Sequence, residues 1–190
     1  MQTSIFAEVK KVTQREKVDI LLRDLHFTIL CEVGVRFGEN LHTMLKANPT
    51  EMIAVDLWRD DNKSRNDQGY SQADLDAQFR SIQELQKEFP AIRIIRDLST
   101  EAAKQFPDGH FDYVYLDADH TYEAVRDDIK AWFPKVKQYG ILAGHDYIRV
   151  NGFPGVNRAV DEYVRQYSLQ NFFHLEMPET GSNSWYTVKS

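Results

Sequence analysis

Residues 28–40 read TILCEVGVRFGEN. From 28 to 33 the chain is apolar and β-branched around a single acid, Glu32, and the run stops at Gly34. Residues 38–47 then continue with helical spacing. A short apolar run that ends at glycine and passes into a helical period predicts a buried strand turning directly into a helix. Glycines in such a turn let the backbone bend tightly and approach a ligand that a Cβ would exclude. The helix behind them offers unpaired N–H groups at its N-terminus.

The same unit recurs outward along the chain. Residues 52–57 (MIAVDL) read as a second strand, followed by a polar stretch over 59–70 and a helix over 71–88 with Leu75, Phe79, Ile82 and Leu85 on one face. A third strand over 92–95 precedes a short helix over 99–106, and a fourth over 111–116 (FDYVYL) precedes an amphipathic helix over 122–136. A fifth strand over 140–143 leads through a loop, with Gly152, Pro154 and Gly155 as turn or hinge residues, into a helix over 156–167. Residues 172–176 and 185–188 close the series as two strands with no helix between them. Near-continuously apolar strands alternating with helices predict an α/β fold, a mainly parallel sheet covered on both faces. The final pair is too close for a crossover helix, so the last strand should run antiparallel.

The division expected is a short N-terminal helical segment, residues 1–27 with one helix over 12–25, and a ligand-binding domain, residues 28–190. A chain of 190 residues fits one domain overall. The formal charge of -6 argues against a broad nucleic-acid or membrane-surface footprint. No apolar run reaches the ~20 residues of a membrane helix. The first residues lack a signal-peptide apolar centre, so a cytoplasmic enzyme is the expectation. The single cysteine, Cys31, lies in an apolar run and reads as a buried small hydrophobe.

The first turn has the pattern E-x-G-x-x-x-G, Glu32 to Gly38, not the G-x-G-x-x-G that wraps a pyrophosphate. Its alternatives are a ligand loop and a plain strand–helix turn. Asp56 ends the second strand 18 residues after Gly38, where an acid commonly accepts hydrogen bonds from ribose hydroxyls; it reads equally as a helix cap or a solvated loop acid. Asp97 and Ser99 follow the third strand and could meet an adenine amino group and ring nitrogen, or Asp97 could cap the short helix.

EVGVRFGEN, the acid of AVDLW and the long segment FDYVYLDADHTYEAVRDDIKAWFPKVKQYGILAGHDY together resemble a class I S-adenosylmethionine-dependent methyltransferase, closest to the small-molecule O-methyltransferase group. The resemblance covers roughly residues 28–190. It implies a Rossmann-like three-layer sandwich with a seven-stranded sheet and an antiparallel last strand. It also implies that Glu32, Gly34 and Gly38 line the methionine portion, with Asn40 near its carboxylate. Asp56 would hold the ribose, Asp97 and Ser99 would flank the adenine, and Asp117 would lie beneath the methyl group.

Histidine suits proton removal near neutrality, and two histidines stand beside acids at adjacent strand ends: His120 after Asp117 and Asp119, and His145 before Asp146. His120 or His145 is the expected base, with Asp146 part of the catalytic group. A divalent cation is a competing device. Metal-dependent relatives place two Asp and an Asn here; Asp117 and Asp146 match, but Tyr147 stands where the Asn is expected. His145 could substitute, a donor more typical of transition metals.

The loops over 59–70, with Arg59, Lys63 and Arg65 among acids, and over 147–156 lie where a cap over an acceptor would form. Trp58 and Trp132 read as packing residues. The expected partner is a small hydroxylated methyl acceptor such as a sugar or secondary metabolite, neither nucleic acid nor membrane. A second copy of the chain, in a homodimer, could complete the acceptor site. The competing reading is a nucleotide- or dinucleotide-binding α/β protein without methyl transfer. A nucleic-acid methyltransferase is disfavoured by the acidic balance and by the lack of an Asn-Pro-Pro-Tyr-like tetrapeptide after the fourth strand.

Overall fold

A computed structural model describes residues 5, 8–9, 17–60, 69–147, 154–167, 172–174 and 184–190. In chain order the elements are α1 (Val18–Asp24), β1 (Ile29–Val33), α2 (Glu39–Leu45), β2 (Glu51–Asp56), α3 (Gln72–Glu88), β3 (Ile92–Arg96), α4 (Ser99–Ala103), β4 (Phe111–Leu116), α5 (Tyr122–Trp132), a 3-10 turn (Phe133–Lys135), β5 (Val136–Gly144), α6 (Pro154–Gln166), β6 (Phe172–His174) and β7 (Trp185–Val188). The strands form one seven-stranded sheet in the order β3-β2-β1-β4-β5-β7-β6. β1 to β5 pair in parallel, while β7 pairs antiparallel with both β5 and β6. The expected mainly parallel sheet with its antiparallel last strand is therefore present.

Side-chain alternation along each strand sorts the apolar residues into two layers. Leu30, Met52, Ala54, Tyr113 and Tyr115 pack with α1, α2 and Ile82 of α3. Cys31, Val33, Ile53, Val55, Val114 and Leu116 pack with α4, α5 and α6 on the opposite face. The helices after β1 and β2 thus cover one face and those after β3 and β4 the other. That arrangement is what right-handed crossovers impose when the chain builds outward from β1 in one direction and then restarts at β4. Trp58 and Trp132 are buried, as packing residues should be. Cys31 is fully buried, and that burial, with the charges of Glu32 and Glu51, pushes its thiol well up. Among the described residues no helix is long and apolar enough to cross a membrane.

Several boundaries differ from the sequence reading. The helix expected over 122–136 stops at Trp132, and Pro134 forms the 3-10 turn that ends it. β5 begins at Val136 and runs nine residues, twice the length its apolar half suggested. α4 has five residues and Leu98, not Asp97, in the capping position. The Asp97 carboxylate instead accepts the Leu98 N–H at 2.8 Å. Pro154 and Gly155 belong to the first turn of α6, where proline's missing N–H costs nothing. Ser71 caps α3 through a capping box with Asp74. Readings that fall on residues 12–16, 61–68, 148–153 and 175–176, including Lys63, Arg65 and Gly152, lie outside the described residues.

Candidate active site

The carboxyl ends of β1, β2, β4 and β5 lie side by side, with β1 and β4 adjacent although β2 and β3 separate them in sequence. Chain reversal of this kind opens a crevice above the sheet, where ligands of open α/β folds bind. The ladder bonds continue past the strands and fix the loops: Gly34 N–H donates to Val55 O at 2.8 Å, Asp117 N–H to Val33 O at 2.7 Å and His145 N–H to Leu116 O at 3.1 Å. The crevice is a cleft of about 830 Å³, within the ~300–1,000 Å³ typical of small-molecule sites. Its described lining contains ten carboxylic acids and two arginines, so the cleft favours positively charged ligand groups.

Gly34 is required where it stands. It has φ +86°, and a Cβ there would lie 2.1 Å from the Asp117 carbonyl oxygen. This contact presses the β1 turn against the β4 turn and sets the narrow waist of the cleft. Asp56 shapes the same turn from the other side: its Oδ2 accepts the N–H groups of Val35 at 2.8 Å and Arg36 at 2.9 Å, and its Oδ1 that of Trp58 at 3.2 Å. Glu32 and Asn40 form a buried polar pair on the cleft wall, Asn40 Nδ2 donating to Glu32 Oε1 at 2.9 Å. The Asn40 amide oxygen is buried with no hydrogen-bond partner. Gly38 does not line the cleft; its Cα faces Ile82 of α3, whose Cδ1 would lie 2.7 Å from a Cβ there.

Asp97, Leu98, Ser99, Thr100, Ala118, Asp119, Ala124, Asp127 and Asp128 also line the cleft. Ser99 is not free to meet a ligand with its hydroxyl alone: Oγ accepts the Trp132 indole N–H at 2.9 Å and bonds to Asp128. Burial, aided by the charges of Asp119 and Asp127 and only partly offset by Ser99, pushes the Asp128 carboxyl up to about 7.

The waist is occupied by Asp117, His120, His145 and Asp146, with side chains 13–18% exposed. His120 Nε2 lies 2.8 Å from Asp146 Oδ2 and 3.6 Å from Asp117 Oδ1. His145 Nδ1 lies 3.3 Å and 3.8 Å from the same two oxygens. Burial alone would lower the His120 imidazole, but its hydrogen bonds to Asp117 and Asp146 outweigh burial and push it up to about 10. Burial likewise works against the Asp146 carboxylate, and the two histidines hold it well below the usual carboxylate range. Tyr147, at the position where the resemblance expects an Asn ligand, is 1% exposed and donates its hydroxyl to Asp161. It does not join the cluster.

The structure therefore gathers Glu32, Gly34, Asn40, Asp56, Asp97, Ser99, Asp117, His120, His145 and Asp146 around one cleft and leaves Gly38 behind its wall. Sequence reading missed two buried polar residues of the lining, Gln78 and Asp128. Asp128 had a signal: it interrupts the apolar face of α5 formed by Val125, Ile129 and Trp132.

Residues 31–147 match the family model described as a methyltransferase domain. The chain belongs to this family, and its seven-stranded sheet is that of class I S-adenosylmethionine-dependent methyltransferases. Solved structures of the same fold include the O-methyltransferase NovP, with a TM-score of 0.66 at 17% identity over 93% of this chain and 78% of that one. Another is the O-methyltransferase from Bacillus cereus in complex with SAH, with a TM-score of 0.63 at 12% identity over 98% and 91%. Spermidine synthase from Thermotoga maritima matches with a TM-score of 0.61 at 14% identity, covering 86% of this chain and 54% of that one. A curated relative, the uncharacterized protein y4gI of Sinorhizobium fredii, is 26% identical over 130 residues, 65% of this chain but 14% of the relative. The chain thus spans about half of the synthase and about a seventh of y4gI.

Proposed function

We propose that this chain transfers the methyl group of S-adenosylmethionine to the oxygen of a small hydroxylated molecule, such as a sugar or secondary metabolite. The observation that carries the reading is the His–Asp cluster at the waist of an acidic cleft, directly against the glycine turn. A sulfonium cofactor carries positive charge on sulfur and on its amino group, and this lining suits both. Glu32 and Asn40, the buried polar pair of the lining, are assigned to the methionine end of the cofactor. Asp56, which lines the cleft and also ties down the turn, is assigned to the ribose. Asp97 and Ser99, which share the cleft lining with Ala118 and Ala124, are assigned to the adenine.

Methyl transfer from a sulfonium is an in-line displacement. The acceptor oxygen forms its bond to the methyl carbon while the carbon–sulfur bond breaks, its electron pair going to sulfur. Holding the two reactants in line contributes about 7–11 kcal/mol in favourable systems, and removal of the hydroxyl proton adds ~10²–10⁴-fold. Proton removal is assigned to the cluster of Asp117, His120, His145 and Asp146. The two carboxylates push the His120 imidazole up to about 10, so it holds its proton at neutral pH.

The test begins with ligand binding. S-adenosylmethionine and S-adenosylhomocysteine should raise the melting temperature, and NAD should not; the reverse would favour the dinucleotide reading. Transfer of labelled methyl to a panel of hydroxylated acceptors should then be lost in His120→Gln or His145→Gln while S-adenosylhomocysteine still binds. Two fully active variants would remove the cluster from the mechanism.

A further inference from the structure

α3 buries two residues, Gln78 and Ile82, one helical turn apart on a shared face, and Leu75 continues that face toward the start of the helix. Ile82 meets Gly38 at the entrance to α2, while Leu75 and Gln78 line the cleft. Gln78 is 2% exposed, yet its Nε2 is buried with no hydrogen-bond partner. Buried donors in native proteins are nearly always paired, so one left open in a cleft wall is fitted to an acceptor atom of a ligand.

Two arginines of the same lining are tied to the start of α3. Arg36 donates to the hydroxyl of Tyr70, which precedes the Ser71 cap, and its guanidinium carbon lies 5.3 Å from the centre of the Tyr70 ring. Arg59 stands between Trp58 and Asp60, and Gln72 of α3 holds both neighbours: it donates to the Trp58 carbonyl at 3.3 Å and accepts the Asp60 N–H at 3.0 Å. Carboxylic acids are plentiful in this lining, but among the described residues neither arginine forms an ion pair with one. Asp56, which bonds the backbone of Arg36 and Trp58, has its oxygens taken by three N–H groups. Most of the other acids stand at strand ends or on α5, which packs on the opposite face of the sheet from α3. The cleft therefore offers hydrogen-bond donors from the α3 side and carboxylates from the strand ends.

We infer that Gln78, Arg36 and Arg59 bind an anionic group of the methyl acceptor, a carboxylate or a phosphate, so that the acceptor is an anionic hydroxylated molecule. A guanidinium presents N–H groups in a fork that matches either anion, and a hydrogen bond to a charged acceptor is stronger than one to a neutral oxygen. The sulfonium cofactor goes to the strand-end acids and the acceptor's anion to the α3 side. An anchored anion restricts how the hydroxyl can approach the waist, which is the alignment that in-line displacement needs. The identity of the bound molecule as the acceptor rests on the methyl-transfer reading above; the anion site itself does not.

The experiment uses the full chain, isotope-labelled for amide NMR and titrated at fixed ionic strength with sodium phosphate, sodium acetate or uncharged glycerol. Each titration is run with and without saturating S-adenosylhomocysteine. The Gln78 side-chain NH₂ signals are assigned by their loss in Gln78→Leu. They should shift saturably with phosphate or acetate in the cofactor-saturated chain and stay in place with glycerol. The anion that saturates at the lower concentration distinguishes a phosphate from a carboxylate. Arg36→Gln and Arg59→Gln should each raise that concentration ~2–5-fold, the range of an exposed ion pair. Gln78→Leu, followed by calorimetry, should raise it ~10-fold or more, as expected for losing a hydrogen bond to a charged group. Shifts that grow without saturating, or that glycerol reproduces, overturn the site in the wild-type protein whatever the variants do. So do Gln78 signals that move on S-adenosylhomocysteine binding and then ignore both anions, since the donor would then serve the cofactor's own carboxylate. Saturable anion binding in a chain that does not bind S-adenosylhomocysteine refutes methyl transfer alone.

Discussion

Replacing Asp128 by Asn should make the protein more stable at high pH than at low pH, relative to the wild type. The carboxyl is 6% exposed among apolar residues of α5, and burial, with Asp119 and Asp127 nearby, moves it from an ordinary 3.8 to about 7. The unfolded chain releases this proton near 3.8, whereas the folded chain keeps it to about 7. Between those values the folded state binds more protons than the unfolded state, so stability falls as pH rises. Below that window the cost is absent, and above it the cost is fully present. A shift of about three units corresponds to about 4 kcal/mol at most, at 1.36 kcal/mol per unit. Asn has nearly the same shape and its oxygen can still accept from Ser99, but it carries no charge. The difference in unfolding free energy between variant and wild type, from urea melts across about pH 4 to pH 8, should therefore move by up to ~4 kcal/mol in favour of the Asp128→Asn variant. Taking the difference cancels the titration of groups that Asp128 does not interact with. Two stability profiles that stay parallel across this range would show that Asp128 ionises in the folded protein as it does in water.

Two further outcomes follow from the packing. Gly34→Ala should cost about 2–6 kcal/mol, combining ~1–3 kcal/mol for a left-handed alanine with ~1–3 kcal/mol for overpacking against the Asp117 carbonyl, and should abolish S-adenosylhomocysteine binding by calorimetry. Cys31 should resist thiol reagents in the folded protein and react at the rate of global unfolding, because the thiol is fully buried and its thiolate strongly disfavoured; rapid labelling under native conditions would refute this.

The central strands were legible because both their faces are covered. β1, β2 and β4 are short continuous apolar runs, and alternate residues then sort to one layer or the other. The first half of β5 was not legible. Lys137, Gln138 and Tyr139 are not fully buried, so this stretch reads as the tail of an amphipathic helix. The strand-end residues of the site could be named from position alone, since a parallel sheet delivers every strand end to the same edge. Their mutual contacts could not, because the approach of His120 to Asp146 depends on the register of β4 against β5. Gln78 and Asp128 sit on helices, where a polar residue on a buried face looks like noise until the fold shows what it borders. Gly38 packs closely against Ile82 of α3, a contact that no sequence pattern shows.

β7 lies between β5 and β6 and so completes the sheet from within rather than from an edge. During synthesis β5 and β6 emerge first, yet neither can pair with the other in the final arrangement. β5 must hold an open hydrogen-bonding edge until residues 185–188 have left the ribosome. Trp185 then packs over Gly144, with an indole atom 2.6 Å from where a Cβ would stand, one residue before His145. The cleft's waist is thus finished by a strand made after the other six. A ribosome-bound nascent chain lacking β7 would carry the glycine turn in sequence but not the completed cluster, and its exposed strand edge would be open to chaperones or to misassembly.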